Sequence, residues 1–440
     1  MKKYRKKNGS TLEPGEGTLL HCPEFDPASL LFRLREKNPE MPLLHLDRER
    51  SSGWSHIPVT VSRVVEDRNG ESVFDHPLLT GEAGREIPPE RDPGGLPPFS
   101  AGCVLLLPFE LAERWEPSGG PFSGPAVPAF RCDCLEVVSF HAPSGRLFLP
   151  PGFDRSLLAP VSFGPLPPLS FVPEESDASL KRSLDRIGRG LARGRYFQVN
   201  LARRFSASLP EGFDPLAAYA RMRALGPSPF GGFFARGTFF LLSRSPEQFL
   251  AGDGERIVTR PIAGTAAGAS PVGEEPLLRD AKLLAEHVMT VDLLRNDLGK
   301  VCRPGSVRVP RLLGVESLPH LRHLVSDVEG RLDRALSRRD LLLSLFPGGS
   351  VTGAPRIAVR REIGLLEGRP RNYYCGIFGY VSGSGQADFS LLIRTLEGTT
   401  GPEGGRISFG AGAGIVADSV ADEEIREIAL KARTMEEVFE

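Results

Sequence analysis

Short apolar runs separated by turn residues make up the first 170 residues of the chain. Runs at 41–46, 57–65 and 103–109 are each long enough for a strand. The segment 83–99 is a loop by its composition, and the segment 158–173 is again rich in Pro. This part of the pattern predicts short strands joined by turns.

The pattern becomes periodic after residue 176. Leu180, Leu184 and Ile187 are spaced by four and three residues behind Ser176, which predicts a helix with a serine N-cap. Further helices are predicted at 276–298, 338–345 and 421–439. Strands are predicted at 196–205, 238–242, 256–262, 306–312, 323–329, 375–381, 389–396 and 406–409. The order has no βαβα rhythm, so it favours an α+β fold with a mostly antiparallel sheet.

Composition and charge narrow the class of protein. The 440 residues carry 54 Lys and Arg against 55 Asp and Glu, a net charge of −1, whereas a nucleic-acid-binding surface needs a basic excess. Six cysteines are too few for a disulfide framework, and no apolar run reaches the length of about 18 residues that a membrane span needs. The basic N-terminus is not followed by an apolar stretch, so it does not predict a secretory signal. We expect a cytoplasmic protein that binds neither nucleic acid nor membrane.

The predicted helix at 276–298 carries polar residues on one stripe. Glu286, Thr290, Leu293 and Asp297 are spaced by four, three and four residues, so they share one side of the helix. A carboxylate in this apolar context is a candidate functional group. From spacing alone, a solvated helix face is the favoured interpretation of the stripe.

The predicted helix at 421–439 has a similar stripe of Glu424, Glu427 and Lys431. Carboxylates on one helix face are oxygen ligands suited to Mg²⁺, and a lysine one turn on suits an anionic substrate. The glycine-rich segment 409–419 before the helix is interpreted as a turn that lets a ligand approach the backbone closely. The alternative is a surface stripe with an ordinary pair between Glu427 and Lys431.

Other segments bear on the enzyme class. The turn FPGGSVTGAPR at 346–356 does not match a P-loop, and no G-x-G-x-x-G opens a helix, so a nucleotide site is disfavoured. No G-x-S-x-G motif supports a serine hydrolase. His323 begins a predicted strand, where a histidine is either a general acid or base or a structural residue.

Nine segments, taken in order, resemble the chorismate-utilising enzymes. They are YFQVNLARRF, SPEQFL, TRPIAGT, AEHVMTVDLLRNDLGKV, RHLVSDVEG, FPGGSVTGAP, YYCGIFGY, LLIRTL and FGAGAGIVADS with EEIREIALKA, and they span about residues 180–435. The family includes anthranilate synthase component I, aminodeoxychorismate synthase component I, and the isochorismate and salicylate synthases. The N-terminal third resembles the family more loosely, through PLLHLDRERSSGWS.

The resemblance implies a fold and a division of the chain. The fold it implies is α+β, with two packed, mostly antiparallel β-sheets and helices outside. The division is a basic tail at 1–14, an N-terminal domain at 15–157, a Pro-rich linker at 158–175 and a chorismate-binding catalytic domain at 176–440.

The resemblance also implies roles for single residues. Glu286 and Glu427 match carboxylates that hold Mg²⁺, which binds the ring carboxylate of chorismate, and Glu424 matches a further acid beside them. His323 matches a histidine that assists loss of the C4 hydroxyl, and Thr265 matches a substrate-facing threonine. The other substrate-binding positions that the resemblance implies are Gln198, Ala263, Ser350, Tyr374, Arg394, Gly412, Gly414 and Lys431.

Two positions bear on the reaction within the family, and two more depart from the family pattern. Gln198 stands where isochorismate-type members carry a lysine that activates water, and a glutamine cannot act as that base, so we expect ammonia as the nucleophile. Ala263 stands where aminodeoxychorismate synthases often carry a covalent lysine, and PIAGT is the usual anthranilate synthase form. Leu283 replaces an acidic residue of some members, and Arg356 replaces a lysine but keeps the charge.

Most of the segments resemble aminodeoxychorismate synthase component I more than anthranilate synthase component I. We therefore expect Mg²⁺-dependent amination of chorismate to 4-amino-4-deoxychorismate, on the folate pathway. The alternative is formation of anthranilate on the tryptophan pathway. The sequence has no G-x-C-x-G glutaminase motif, so the resemblance implies a separate glutamine amidotransferase subunit as the source of ammonia.

Overall fold

The computed structural model describes residues 17–48, 52–81, 97–226, 228–267, 276–317 and 321–440. The predicted tail at 1–14 and most of the predicted loop at 83–99 lie outside the described residues. The α-helices are α1 (Pro27–Lys37), α2 (Pro77–Thr80), α3 (Ala112–Trp115), α4 (Asp177–Ala192), α5 (Pro215–Ala224), α6 (Ala281–Gly299), α7 (Arg338–Leu345), α8 (Arg356–Glu367) and α9 (Ala421–Glu436). No helix within these ranges is long and apolar enough to cross a membrane.

The strands up to residue 209 are β1 (Thr18–His21), β2 (Leu43–Arg48), β3 (Trp54–Asp67), β4 (Gly102–Leu107), β5 (Ala129–His141), β6 (Arg146–Leu149), β7 (Val172–Pro173) and β8 (Gln198–Leu209). The later strands are β9 (Gly232–Arg236), β10 (Phe239–Ser243), β11 (Gln248–Gly252), β12 (Arg256–Arg260), β13 (Ile262–Ala267), β14 (Arg308–Ser317), β15 (Leu321–Arg331), β16 (Gly353–Ala354), β17 (Ile377–Ser382), β18 (Ala387–Leu391), β19 (Thr395–Thr399) and β20 (Gly405–Ile415).

Antiparallel pairing joins these strands into one network. Starting at β8, the network runs through β20, β19, β10, β9, β2 and β3. It continues through β5, β4, β17, β18, β11, β12 and β15. Because β2 pairs with β9 and β4 pairs with β17, strands from the first 150 residues lie between strands from later in the chain. The boundaries given above for separate domains stay a prediction.

The network folds back so that its two halves pack face to face. Phe130 of β5 contacts Phe234 of β9 with ring centroids 5.0 Å apart, and both belong to a buried core that the two halves share. Helices cover the outside: Leu184 of α4 and Ile428 of α9 pack in one further core, and Leu294 of α6 packs in another. The predicted fold of two packed antiparallel sheets with helices outside is confirmed.

Most of the predicted elements have somewhat different bounds in the structure, and three of these differences concern elements of the site. The helix predicted at 276–298 begins only at Ala281, because Asp280 caps it by accepting a hydrogen bond from the Leu283 amide. The strand predicted at 389–396 is interrupted, because Arg394 adopts a left-handed φ of 49°. The glycine-rich segment interpreted as a turn from residue 409 is instead the second half of strand β20.

Candidate active site

The two faces of strand β20 pack against different parts of the protein. Residues of one parity pack into the core against α9: Ile407, Phe409, Ala411, Ala413 and Ile415. Residues of the other parity include Gly410, Gly412 and Gly414, which lie on the opposite face because side chains alternate along a strand. The glycines leave room on that face for side chains from neighbouring elements.

Side chains from β8 and α6 approach this glycine face closely. A Cβ atom built on Gly414 would lie 2.8 Å from Nε2 of Gln198 and 3.6 Å from Oε2 of Glu286. A side chain at position 414 would therefore displace Gln198. The structure thus brings together Gln198, Gly414 and Glu286, three of the predicted site residues.

Tyr374 covers the next part of the glycine face. A Cβ on Gly412 would lie 3.0 Å from the Tyr374 hydroxyl oxygen, and a Cβ on Gly410 would lie 2.5 Å from the Tyr374 ring. The tyrosine is buried, and burial raises the pKa of its hydroxyl well above the ordinary value. Tyr374 is therefore a neutral hydrogen-bond donor beside β20.

Helix α9 presents its acidic stripe to the same strand. Glu424 shares the buried stripe of the helix with Ile428, Ala432 and Met435, and Glu427 and Lys431 lie beside that stripe. Lys431 Nζ lies 2.7 Å from Oε1 of Glu427 and donates a hydrogen bond of 2.9 Å to the carbonyl oxygen of Gly412. Lys431 therefore ties α9 to the backbone of β20 at Gly412.

Helix α6 contributes Glu286 and is anchored by its other polar residues. Thr290 and Asp297 are buried, so the interpretation of this stripe as a solvated face is wrong for them. Asp297 pairs with Arg356 of α8 at 3.0 Å between Oδ2 and Nη1, which gives the charge at position 356 a structural role.

The two acidic helices meet through Lys282. Its Nζ atom lies 2.7 Å from Oε1 of Glu424 on α9 and 3.9 Å from Oε1 of Glu286, one turn along α6. Burial raises the pKa of Glu286, and the charges of Glu424 and Glu427 raise it further, to about 7, although Lys282 and Lys431 oppose the change. The raised pKa indicates a crowded acidic site.

His323 and Ala263 lie on the adjacent strands β15 and β13. His323 is buried, and its Nδ1 atom is 2.9 Å from the carbonyl oxygen of Gly264. Ala263 pairs with Leu324, next to this histidine. A Cβ on Gly264 would lie 2.6 Å from the Leu283 side chain, so β13 packs directly on α6. Thr265 lies in β13, but its side chain is outside the described part of the chain.

The sequence of the later two thirds of the chain matches one family model. The model is described as chorismate binding enzyme and matches residues 160–437. The chain belongs to this family of chorismate-binding enzymes. This confirms the family resemblance that the nine sequence segments indicate.

Two curated relatives of this chorismate-binding chain carry different names. The chain is 37% identical over 452 residues to anthranilate synthase component 1 of Thermus thermophilus, covering 93% of this chain and 94% of that protein. It is 41% identical over 239 residues to aminodeoxychorismate synthase component 1 of Escherichia coli, covering 53% of this chain and 51% of that protein. The sequence comparison therefore supports chorismate chemistry without choosing between the two names.

A solved structure supports the fold. Anthranilate synthase component I from Streptococcus pneumoniae superposes with a TM-score of 0.72 at 26% identity, covering 87% of this chain and 92% of that chain. The isochorismate synthase MenF from Escherichia coli superposes with a TM-score of 0.71 at 19% identity, which shows the same fold.

Glu247 is a site residue that the sequence interpretation did not single out. It precedes strand β11, is buried, and accepts a hydrogen bond of 2.7 Å from Ser350 Oγ. Burial raises its pKa to about 7, while the Ser350 hydrogen bond and the charge of Lys431 act in the opposite direction. Its signal in the sequence was a single acidic residue inside the matching segment SPEQFL, and only the fold shows that it is buried.

Arg394 lies at the turn between β18 and β19, near the backbone of Glu247. Its carbonyl oxygen accepts a hydrogen bond from the amide of Arg244, and the amide of Leu391 donates to the carbonyl oxygen of Glu247. Burial and the neighbouring Arg244 lower the pKa of the Arg394 guanidinium. This environment places a cation in a poorly solvated position.

The acidic site carries oxygen atoms of the kind that bind Mg²⁺. Oε2 of Glu424 is buried and has no hydrogen-bond partner among the described residues, so it is free to accept a ligand. The three glutamates supply only oxygen donors, which Mg²⁺ prefers. In the described ranges, no three acidic, histidine or cysteine side chains already converge as a metal site. The oxygen donors fit Mg²⁺. In the structure, however, Lys282 binds Glu424 and Lys431 binds Glu427, and these contacts set the positions of the carboxylates.

Proposed function

We propose that this chorismate-binding enzyme aminates chorismate at C4. Chorismate and ammonia would give 4-amino-4-deoxychorismate and water. The observation that carries the proposal is the set of acidic and basic groups around β20: Lys282 links Glu286 to Glu424, and Lys431 links Glu427 to the backbone of Gly412. The residue that lies with Glu286 beside Gly414 is a glutamine, Gln198.

Cationic and neutral donors suit the two carboxylates of chorismate. Lys431 and the Tyr374 hydroxyl lie beside Gly412, where they can bind one carboxylate. Arg394 supplies a further cation. Glu286 and Glu427, with Glu424 beside them, would hold Mg²⁺. When bound, Mg²⁺ would supply the positive charge that neutralises the ring carboxylate.

Loss of the C4 hydroxyl requires a proton, and Glu247 is placed to hold one. Its pKa of about 7 keeps a large part of the carboxyl protonated at neutral pH, and Ser350 fixes its orientation. His323 is the second candidate for this proton. The hydroxyl would leave as water, and ammonia would give up one proton on becoming the amino group.

Gln198 favours ammonia over water as the nucleophile. A neutral amide has no basic lone pair with which to deprotonate water, whereas ammonia attacks without such help. Ala263 has no nucleophilic group, so a first ammonia would add at C2 as the C4 hydroxyl leaves. A second ammonia would then add at C4 and release the first.

Formation of anthranilate is the second candidate function. Ala263 favours it, because the 2-amino intermediate gives anthranilate directly when it loses its enolpyruvyl group as pyruvate. The relation to anthranilate synthase component 1 over 93% of the chain also favours it. The balance is chorismate plus ammonia to anthranilate, pyruvate and water.

We propose a glutamine amidotransferase subunit as the source of ammonia, and a cytoplasmic location for the complex. The relatives' names call them component 1, which implies a partner in those synthases. A partner of this kind would hydrolyse glutamine and pass ammonia to the site. Ammonium salts are expected to replace it in vitro.

The product identifies the function. The purified chain is incubated with chorismate, Mg²⁺ and ammonium at alkaline pH, and the products are separated by chromatography. Aminodeoxychorismate, which an added lyase converts to p-aminobenzoate, supports the proposal; anthranilate supports the second candidate. Ala263→Lys should raise the C4-aminated fraction, and Ala263→Met, of similar length without the amine, should not.

A further inference from the structure

Two ammonium groups lie within the acidic site. Lys431 binds Glu427 on its own helix and also the carbonyl oxygen of Gly412, so part of its role is to hold α9 on β20. Lys282 differs, because it contacts two carboxylates on two different helices, Glu424 on α9 and Glu286 on α6. Lys282 is thus the group that bridges the acidic residues of α6 and α9.

The charges of the site explain why such a bridge is needed. When Glu286, Glu424 and Glu427 are all ionised, as metal binding requires, they carry three negative charges against the two positive charges of Lys282 and Lys431, a net charge of −1. Without Lys282 the net charge becomes −2, at a site where Glu424 is almost fully buried. Like charges repel strongly in a poorly solvated environment.

Lys282 binds only one of the two carboxylate oxygens of Glu424. Its Oε1 atom binds Lys282 at 2.7 Å, while Oε2 is buried and has no hydrogen-bond partner in the described part of the chain. The side chain of Lys282 itself is partly exposed, with 34% of its surface accessible. It can therefore swing into solvent without disturbing the core, and Glu424 would then be free on both oxygens.

We propose that Lys282 is a tethered cation that neutralises the acidic site in the metal-free enzyme and is displaced when a divalent metal binds. It is a positioning residue that sets the metal concentration the enzyme needs, because each metal ion must compete with it for Glu424 and Glu286. The inference rests on the proposed function, which places Mg²⁺ among these carboxylates.

Metal affinity without substrate tests this role. Mg²⁺ is titrated into the full chain in a calorimeter, and Mn²⁺ binding is followed by electron paramagnetic resonance, both without chorismate. Lys282→Met, which keeps the stem and removes the charge, should lower the Kd for Mg²⁺ by about tenfold or more. Lys282→Gln keeps a hydrogen-bond donor and should also lower the Kd. It replaces the methionine variant if that variant folds poorly.

Two further variants serve as controls. Lys181 of α4 pairs with Asp422 of α9 at 2.8 Å on the exposed surface, away from the acidic site. Lys181→Met should therefore leave the Kd for Mg²⁺ within about twofold of the wild type. Lys282→Arg restores the positive charge and should restore an affinity near that of the wild type. The melting temperature of metal-free Lys282→Met should fall, and Mg²⁺ should restore it.

An unchanged or weaker affinity in both Lys282→Met and Lys282→Gln would overturn the inference. An equal gain in Lys181→Met would also overturn it, because the effect would then be one of general charge. Since substrate is absent, the result is independent of the product. A chain that forms no aminated product but shows the Lys282 effect refutes the proposed function alone, and the reverse result refutes this inference alone.

Discussion

Among the single residues of the site, Glu247 combines burial with the ability to hold a proton near neutral pH. Its carboxyl accepts a hydrogen bond from Ser350, yet burial raises the pKa from 4.5 to about 7. A carboxyl of this kind is suited to protonate a leaving hydroxyl. Two consequences, one for stability and one for turnover, are measurable.

Glu247→Gln should remove part of the pH dependence of stability. In the folded state the proton is held up to about pH 7, and in the unfolded state only to the ordinary value of 4.5. The contribution to stability is therefore complete below pH 4.5 and lost as the pH rises through 7. At pH 8 the variant should gain about 1–3 kcal/mol in free energy of unfolding over the wild type, with little gain at pH 5.

Denaturant unfolding at the two pH values measures this effect. Glu423→Gln removes an exposed carboxylate from α9 and should show no such difference between pH 5 and pH 8. Turnover of Glu247→Gln should fall by about 10²-fold or more, because the amide cannot donate the proton that the acid supplies. A variant with wild-type turnover and wild-type pH dependence contradicts the role of Glu247.

At the scale of elements, strand β20 gives the site its shape. Its core-facing residues hold it against α9, and its glycines admit Tyr374, Gln198 and Glu286 on the other face. Glycine normally weakens a strand, so its use here reflects the close approach of other side chains.

Gly410→Ala should destabilise the protein, because the new Cβ would lie 2.5 Å from the buried ring of Tyr374. We expect a loss of about 1–3 kcal/mol in free energy of unfolding, typical of overpacking, together with weaker chorismate binding. Gly188→Ala is the contrasting variant. Gly188 is exposed within α4 with open space around its Cβ position, so the alanine should stabilise by about 0.5–1 kcal/mol. Denaturant unfolding of both variants checks the opposite signs, and an unaffected Gly410→Ala chain contradicts the packing argument.

Four helices could be predicted from local pattern, whereas α1, α5 and α8 were not predicted, and neither were the details of the strands. The helix at 338–345 and the start of α9 at residue 421 agree with the apolar spacing, because a helix buries one stripe whatever its partner. The glycines of β20 were interpreted as a turn, because the reason for them, Tyr374, lies in another part of the chain. The left-handed Arg394 likewise has no local signal.

The site was predictable to the extent that its residues form stripes. Glu424, Glu427 and Lys431 are recognisable on one helix face, and Glu286 on another. That Lys282 joins the two helices depends on how α6 and α9 lie in the fold, which spacing does not encode. Glu247 was missed because a single acidic residue before a strand has the same pattern whether it is buried or solvated.

At the scale of the whole molecule, the two parts of the chain share one strand network. β9 and β17 each pair on one side with a strand from the first 150 residues. A fragment of residues 176–440 would therefore expose two sheet edges, which promotes aggregation. The full chain should unfold in one calorimetric transition, and the fragment should aggregate or show no cooperative transition. A soluble fragment that unfolds cooperatively would show that the catalytic part folds alone.

The position of the ammonia nitrogen in the product tests amination at C4 directly. The full chain is supplied with chorismate, Mg²⁺ and ¹⁵N-labelled ammonium, and the position of the label is read by NMR. We expect ¹⁵N on C4 of a ring that still carries its enolpyruvyl group. Label on C2 of an aromatic ring with release of pyruvate would make this an anthranilate-forming enzyme, and a product without label would contradict amination altogether.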